Sequence, residues 1–189
     1  MVKIQFYKSG KLDLPDFFFR GPYINAELQF PMKSSAGILF YNFKDKALIV
    51  FLVHPGGPYW KNKDQHAWSI PKGELEKDEI PLTAALKEVK EETGILAQGN
   101  FIELSPLKQK SGKVIYAWGL QFNITAEIIT SDTFEMEWPP KSGTMKSFPE
   151  IDRGAWFSID DAKEKILPGQ MAWLDELYSK VFVQQDTID

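Results

Sequence analysis

Cysteine is absent from the 189 residues, and histidine occurs only at His54 and His66. Without a thiol there is no disulfide, no thiolate metal site and no cysteine nucleophile. No apolar run reaches membrane-spanning length, and the opening MVKIQFYKSG lacks the apolar core of a secretory leader. No repeat or low-complexity stretch interrupts the chain. The net charge of −4 is too small and of the wrong sign for a general binder of nucleic acid or anionic membrane, although local basic patches stay open. These absences together lead us to expect a soluble, cytoplasmic protein that does not engage the membrane. Its length supports one substantial core and is short for two.

What is present reads as alternating strands and helices. Residues 1–33 include LPDFFFRGPY, three phenylalanines between Asp16 and Arg20, read as an extension packed on the domain, with a loop or a partner contact as alternatives. The segments 36–42 and 47–54 are expected strands joined by the polar turn FKDK, the second apolar enough to be buried on both faces. After the break HPGGPYW, AWSI reads as a short strand, PKGELEKDEI as a loop and residues 81–92 as a helix that begins at Pro81 and stops before Gly94. Residues 113–124 and 153–159 read as strands, 160–166 and 170–182 as helices. Strands enclosed by helices make an α/β or α+β sandwich, with 34–189 as the principal domain.

The helix within ALKEVKEETGI carries the chemistry. Leu82, Leu86 and Val89 form its core stripe, while Ala84, Glu88, Glu91 and Glu92 occupy the neighbouring sector. Like charges at such spacings repel, and the C-terminal end of a helix already carries partial negative charge. A cation is therefore expected beside them. The plainer alternative is a solvated acidic face in which Lys87 pairs with Glu91 at four-residue spacing.

From Gly73 to Ile95, GELEKDEIPLTAALKEVKEETGI resembles the Nudix box. Gly73, Glu79, Glu88, Val89, Glu91, Glu92, Gly94 and Ile95 stand where the pattern requires them; Lys87 replaces its arginine. The resemblance, which extends over residues 34–182, implies an α/β/α sandwich with a mixed central sheet. It also implies hydrolysis of nucleoside diphosphates linked to another group, with Mg2+ or Mn2+. Carried over residue by residue, it makes Glu88 and Glu92 metal ligands, Glu91 a ligand or water-holder, and the carbonyl of Lys72 a further ligand at the turn of Gly73. Glu79 would orient the helix acids, and Lys87 would do so less firmly than arginine, lacking its planar fork.

Outside the box, Glu150 precedes a strand where many Nudix hydrolases bring another carboxylate, as general base or extra metal ligand; an exposed loop acid is the alternative. Glu135 and Glu137 are weaker candidates. Lys72, Lys110 or Lys113 could face phosphate, and Tyr59, Trp60, Tyr116 and Trp118 could stack on a base or pack in the core. His54 could touch phosphate or bond to its own loop. WSIPKGE is similar to the entry into the box of diadenosine polyphosphate hydrolases and of diphosphoinositol or capped-RNA relatives. FEMEWPPKSG with FPEIDRGAWF resembles a bacterial subgroup predicted to hydrolyse nucleoside triphosphates. A capped RNA end is thus the one nucleic-acid partner left open. Three readings compete: a metal-dependent pyrophosphohydrolase, a weak or inactive nucleotide-binding or regulatory module of the same fold, and a different reaction such as isomerisation.

Overall fold

The computed structural model describes residues 5–6, 12–13, 34–125 and 130–183. Two short strands, β1 (Gln5–Phe6) and β2 (Leu12–Asp13), pair antiparallel; the rest of the expected packed extension, with its phenylalanines, lies outside the described residues. The domain proper is built from β3 (Ser34–Lys44), β4 (Ala47–Pro55), β5 (Lys72–Glu74), α1 (Pro81–Thr93), β6 (Phe101–Lys108) and β7 (Val114–Gln121). There follow β8 (Thr133–Glu137), β9 (Met145–Pro149), β10 (Ile151–Ser158), α2 (Ile159–Lys165) and α3 (Ala172–Val183).

One six-stranded sheet in the order β10-β4-β3-β7-β6, with β5 also on β3, organises these elements. It is mixed: β3 runs parallel to β7 and every other pairing is antiparallel. Alternation along the strands sorts side chains to two cores, as the two-residue period of a strand requires. Leu39, Tyr41, Val50 and Leu52 face a core shared with Trp173, Leu174 and Leu177 of α3 and Ala162 of α2. Ile38, Phe40, Phe51 and Val53 face the opposite core, shared with Leu82, Leu86 and Val89 of α1. Helices on both faces explain why β3 is buried from Ser34 through Tyr41. Ala84, one turn before Glu88, is fully buried in the α1 core.

The local event that shapes the site is a fork in the sheet. Along one edge, β3 pairs with β4 through Phe40–Lys44 and with β5 through Ser35–Gly37. Between the two partners the segment Ser69–Pro71 fills the gap, with Val53 N and Ser69 N each donating to the other's carbonyl and Ile38 N donating to Pro71 O. The expected AWSI strand is therefore only a pair of isolated bridges, Val53↔Ser69 and Trp68↔Ile166. The fork delivers Lys72 and Gly73 to α1, which packs against both β3 and β5. Pro81 opens that helix, and it stops at Gly94, whose N–H closes on the Lys90 carbonyl.

Outside the sheet, β8 and β9 form a separate hairpin. None of the described helices is long and apolar enough to cross a membrane.

Candidate active site

Lys72, Gly73, Glu88 and Glu92 meet where β5 crosses α1. The Lys72 N–H donates to Glu92 Oε2 at 2.8 Å. A Cβ on Gly73 would stand 1.7 Å from Glu88 Oε2 and 2.6 Å from its Cγ, so the Glu88 carboxyl occupies the space that any side chain at 73 would take. Four residues of helix separate the two acids, which stacks them on one face. Glu91 is exposed on the same turn.

Burial and mutual repulsion act together on these carboxyls. Burial above all, helped by the charges of Glu88 and Glu150, raises Glu92 from an ordinary 4.5 to about 7, against the opposing charge and N–H of Lys72. Glu88 is raised by burial and then by Glu91, with smaller contributions from Glu79 and Glu150. The distant Glu150 is thus brought within electrostatic reach of both box acids.

Glu88, Glu91, Glu92 and Glu150 outnumber the two lysines, Lys72 and Lys87, whose charge reaches them, so the site is short of positive charge. Its donors are all oxygen, the preference of magnesium or manganese, so the residues present suit a hard divalent cation. Among the described residues, no three acidic or imidazole groups already converge as a closed metal cage.

Glu79 lies within electrostatic reach of Glu88 and Lys87. Its Oε2 accepts the N–H of Glu76 at 3.0 Å, tying the loop before α1 to itself. Lys87 reaches the same loop, with Nζ 2.8 Å from Glu76 Oε1, while its charge also faces Glu91 and Glu79. The loop carboxylate is the better-placed partner, so Lys87 braces the loop rather than pairing with Glu91. Replacement by arginine should keep this brace with a second donor, and turnover should hold or rise. Lys87→Ala should lower turnover severalfold with little change in melting temperature, measured by steady-state kinetics beside thermal unfolding.

His54 corrects another expectation. It is fully buried, with Nδ1 2.8 Å from Asp152 Oδ1 and Nε2 2.8 Å from the Lys63 carbonyl, and its ring meets Trp68 edge-on. A ring with no exposed surface cannot meet phosphate; it bonds its own loop instead. His66 is exposed and bonds the Ile166 carbonyl. Lys113 forms an ion pair with Glu74 at 2.7 Å, and Lys110 is exposed in the turn nearby. Tyr116 and Trp118 pack against the α1 core. Glu137 accepts the Gly143 N–H within its hairpin, and Glu135 is exposed.

Sequence reasoning missed a cavity of about 320 Å3 between the Pro55–Trp60 loop and the hairpin, lined by Tyr59, Trp60, Phe134, Met136 and Glu150 among others. Two glycines let the walls approach, for different reasons. A Cβ at Gly56 would lie 2.0 Å from the Pro149 carbonyl oxygen, whereas Gly57 adopts φ +85° with the Phe134 ring against it. Gly56 N also donates to the Glu150 carbonyl at 2.8 Å, and Tyr59 meets Trp138 edge-on. The signal was present in HPGGPYW and in the alternation of Phe134, Met136 and Trp138, but nothing in the sequence paired the two.

The model of the NUDIX domain matches residues 31–177. RNA pyrophosphohydrolase of Bartonella henselae is 35% identical over 69 residues, 34% of this chain and 37% of that protein, so the chain spans little more than a third of that relative's length. Among solved structures, a binary complex of the C. elegans Ap4A hydrolase superposes with a TM-score of 0.52 at 17% identity, covering 78% of this chain and 96% of that one. The NUDIX domain of Shewanella oneidensis NrtR, solved with ADP ribose, gives 0.53 at 15% identity over 79% and 87% of the two chains. Both superpositions agree with the mixed sheet between helices described above.

Proposed function

The chain belongs to the Nudix family, and from that premise we propose that it hydrolyses a phosphoanhydride bond in a nucleoside diphosphate linked to another group, a nucleoside triphosphate or a diadenosine polyphosphate, with Mg2+ or Mn2+. The observation that carries this reading is the crowding of Glu88 and Glu92 against the Lys72–Gly73 turn, with Glu150 in electrostatic reach. So close a gathering of acids is costly unless a cation or a proton joins it.

Each residue has a proposed task. Glu88 and Glu92, with Glu91 and the carbonyl of Lys72, would hold the cation, which when bound supplies charge neutralisation for the phosphate oxygens and acidifies water. Gly73 makes room for the Glu88 carboxyl. Glu150, exposed and borne on the turn between β9 and β10, takes the proton from the attacking water or serves as a further ligand. Lys72 offers a positive charge to the phosphate chain. A phosphate leaving group benefits from this concentration of charge, as a monoester alkoxide does not. Diadenosine tetraphosphate or a related nucleotide should therefore be cleaved, and phosphate monoesters left intact.

A nucleotide-binding module with weak or no catalysis is the second reading, favoured by one observation: the Lys87 ammonium donates its hydrogen bond to loop Glu76, so its charge but no bond reaches the helix acids. A panel of nucleotides with Mg2+ or Mn2+ decides between them, and product analysis in oxygen-18 water locates the attacked phosphorus. Turnover that chelator abolishes and Glu150→Gln lowers at least about tenfold, or 1.4 kcal/mol of barrier, is expected. Binding of these nucleotides without product over hours, unaffected by Glu150→Gln, would establish the module instead.

A further inference from the structure

We propose that the cavity between the Pro55–Trp60 loop and the β8–β9 hairpin is a nucleobase subsite, and that the hairpin is the element that selects nucleotides over bare polyphosphate. The inference rests on the hydrolase reading for the identity of the substrate, but its geometry is separate from the box. The walls come from two segments outside the box, and both contribute rings: Tyr59 and Trp60 from the loop, Phe134 from β8.

A planar, apolar-faced ring is the occupant that such walls favour. Aromatic side chains stack on any base, because every base has a π-face. The cavity, about 320 Å3, lies at the small end of ligand sites, which run from about 300 to 1,000 Å3. One nucleoside fits that scale; the second end of a dinucleotide would lie outside. Glu150 supplies continuity, since it lines the cavity and its charge also reaches Glu88 and Glu92. A base held there would direct its phosphates toward the acids.

The walls are fixed in place before a ligand arrives. Gly56 N bonds the Glu150 carbonyl, Gly57 lies against the Phe134 ring, and Tyr59 leans on Trp138. Phe134 in turn packs on Phe148 of β9, 6.1 Å between ring centroids. Tyr59 keeps 56% of its surface exposed, so part of the ring is open to a ligand.

The test compares a nucleoside triphosphate with inorganic tripolyphosphate in steady-state kinetics with Mg2+, for the wild type, Tyr59→Ala and Phe134→Leu. The wild type should show a KM for the nucleotide about tenfold below that for tripolyphosphate, the order one aromatic stack contributes. Both variants should bring the two KM values together while kcat for the nucleotide holds. A KM ratio that neither variant changes, in protein that unfolds at the wild-type temperature, would overturn the subsite. Should the wild type turn over neither compound, the hydrolase reading fails by itself. The cavity is then read by quenching of tryptophan fluorescence with a nucleoside monophosphate in chelator. Quenching that Tyr59→Ala weakens about tenfold supports the subsite, and quenching that it leaves unchanged, or none at all, refutes it.

Discussion

Gly73→Ala is expected to lower kcat by about a hundredfold while the protein melts within a few degrees of the wild type. The added methyl would fall 1.7 Å from Glu88 Oε2 and 1.9 Å from its Cδ. These atoms and Cγ, 2.6 Å away, belong to a flexible side chain, so the clash is relieved by swinging the whole Glu88 side chain to another rotamer rather than by moving β5 or α1. Folding loses little, since the Glu88 side chain is only half-buried and the core stripe of Leu82, Leu86 and Val89 is untouched. Chemistry loses much, because displacement of a positioned group by about 1 Å costs on the order of a hundredfold. Manganese titration by calorimetry should show the same separation: affinity falls at least about tenfold, or 1.4 kcal/mol. A fully active Gly73→Ala enzyme would remove Glu88 from the proposed ligand set. A variant that no longer folds would mean instead that the turn serves the fold.

Glu92→Gln should weaken manganese binding tenfold or more and at the same time stabilise the metal-free protein at neutral pH. The two effects share one origin. Burial raises the folded carboxyl from 4.5 to about 7, so between these values the native state keeps a proton that the unfolded chain has released. Stability of the metal-free protein therefore falls as pH rises from about 4.5 toward 7 and is level beyond. The two values set an upper limit of roughly 3 kcal/mol, reached at pH 7 and above. Glutamine carries no charge to bury and should flatten that slope, which denaturant unfolding in chelator at pH 5.5 and 7.5 would show. Protons also compete with metal for the same oxygens, so manganese affinity of the wild type should fall up to about tenfold per pH unit below 7. An identical pH slope in Glu92→Gln would locate the titration elsewhere.

Local pattern made much of this architecture legible. Pro81, the Leu82–Leu86–Val89 stripe and Gly94 define a helix from short-range chemistry alone, and the helix found ends one residue beyond the expected 81–92. The apolar runs around 36–42 and 47–54 likewise became β3 and β4. Elements made by their partners were hidden. β5 is only Lys-Gly-Glu, a strand because β3 offers it an edge. β6 carries Pro106 and an irregularity between Leu104 and Leu107, with Leu104 its only fully buried residue, so no alternation announces it. The same holds for β9, Met-Lys-Ser-Phe-Pro, which is mostly exposed. With β9 unseen, β8 had no partner, and the aromatic cavity had only one wall. The box acids were legible because their spacing lies within one helix; the approach of Glu150 depends on contacts across the fold.

The imidazole of His54 joins the stem of the loop that begins at Pro55 to the carbonyl of Lys63, while Asp152 on β10 holds its other nitrogen. A segment carrying Tyr59 and Trp60 is thereby pinned at both ends from inside the protein. Chain segments that order only on meeting a ligand give up part of their binding free energy to lost conformational entropy. Here that entropy is surrendered during folding, with the buried ring as the clasp. The loop meets its ligand with a shape already chosen, so discrimination between ligands rests on fit rather than on rearrangement.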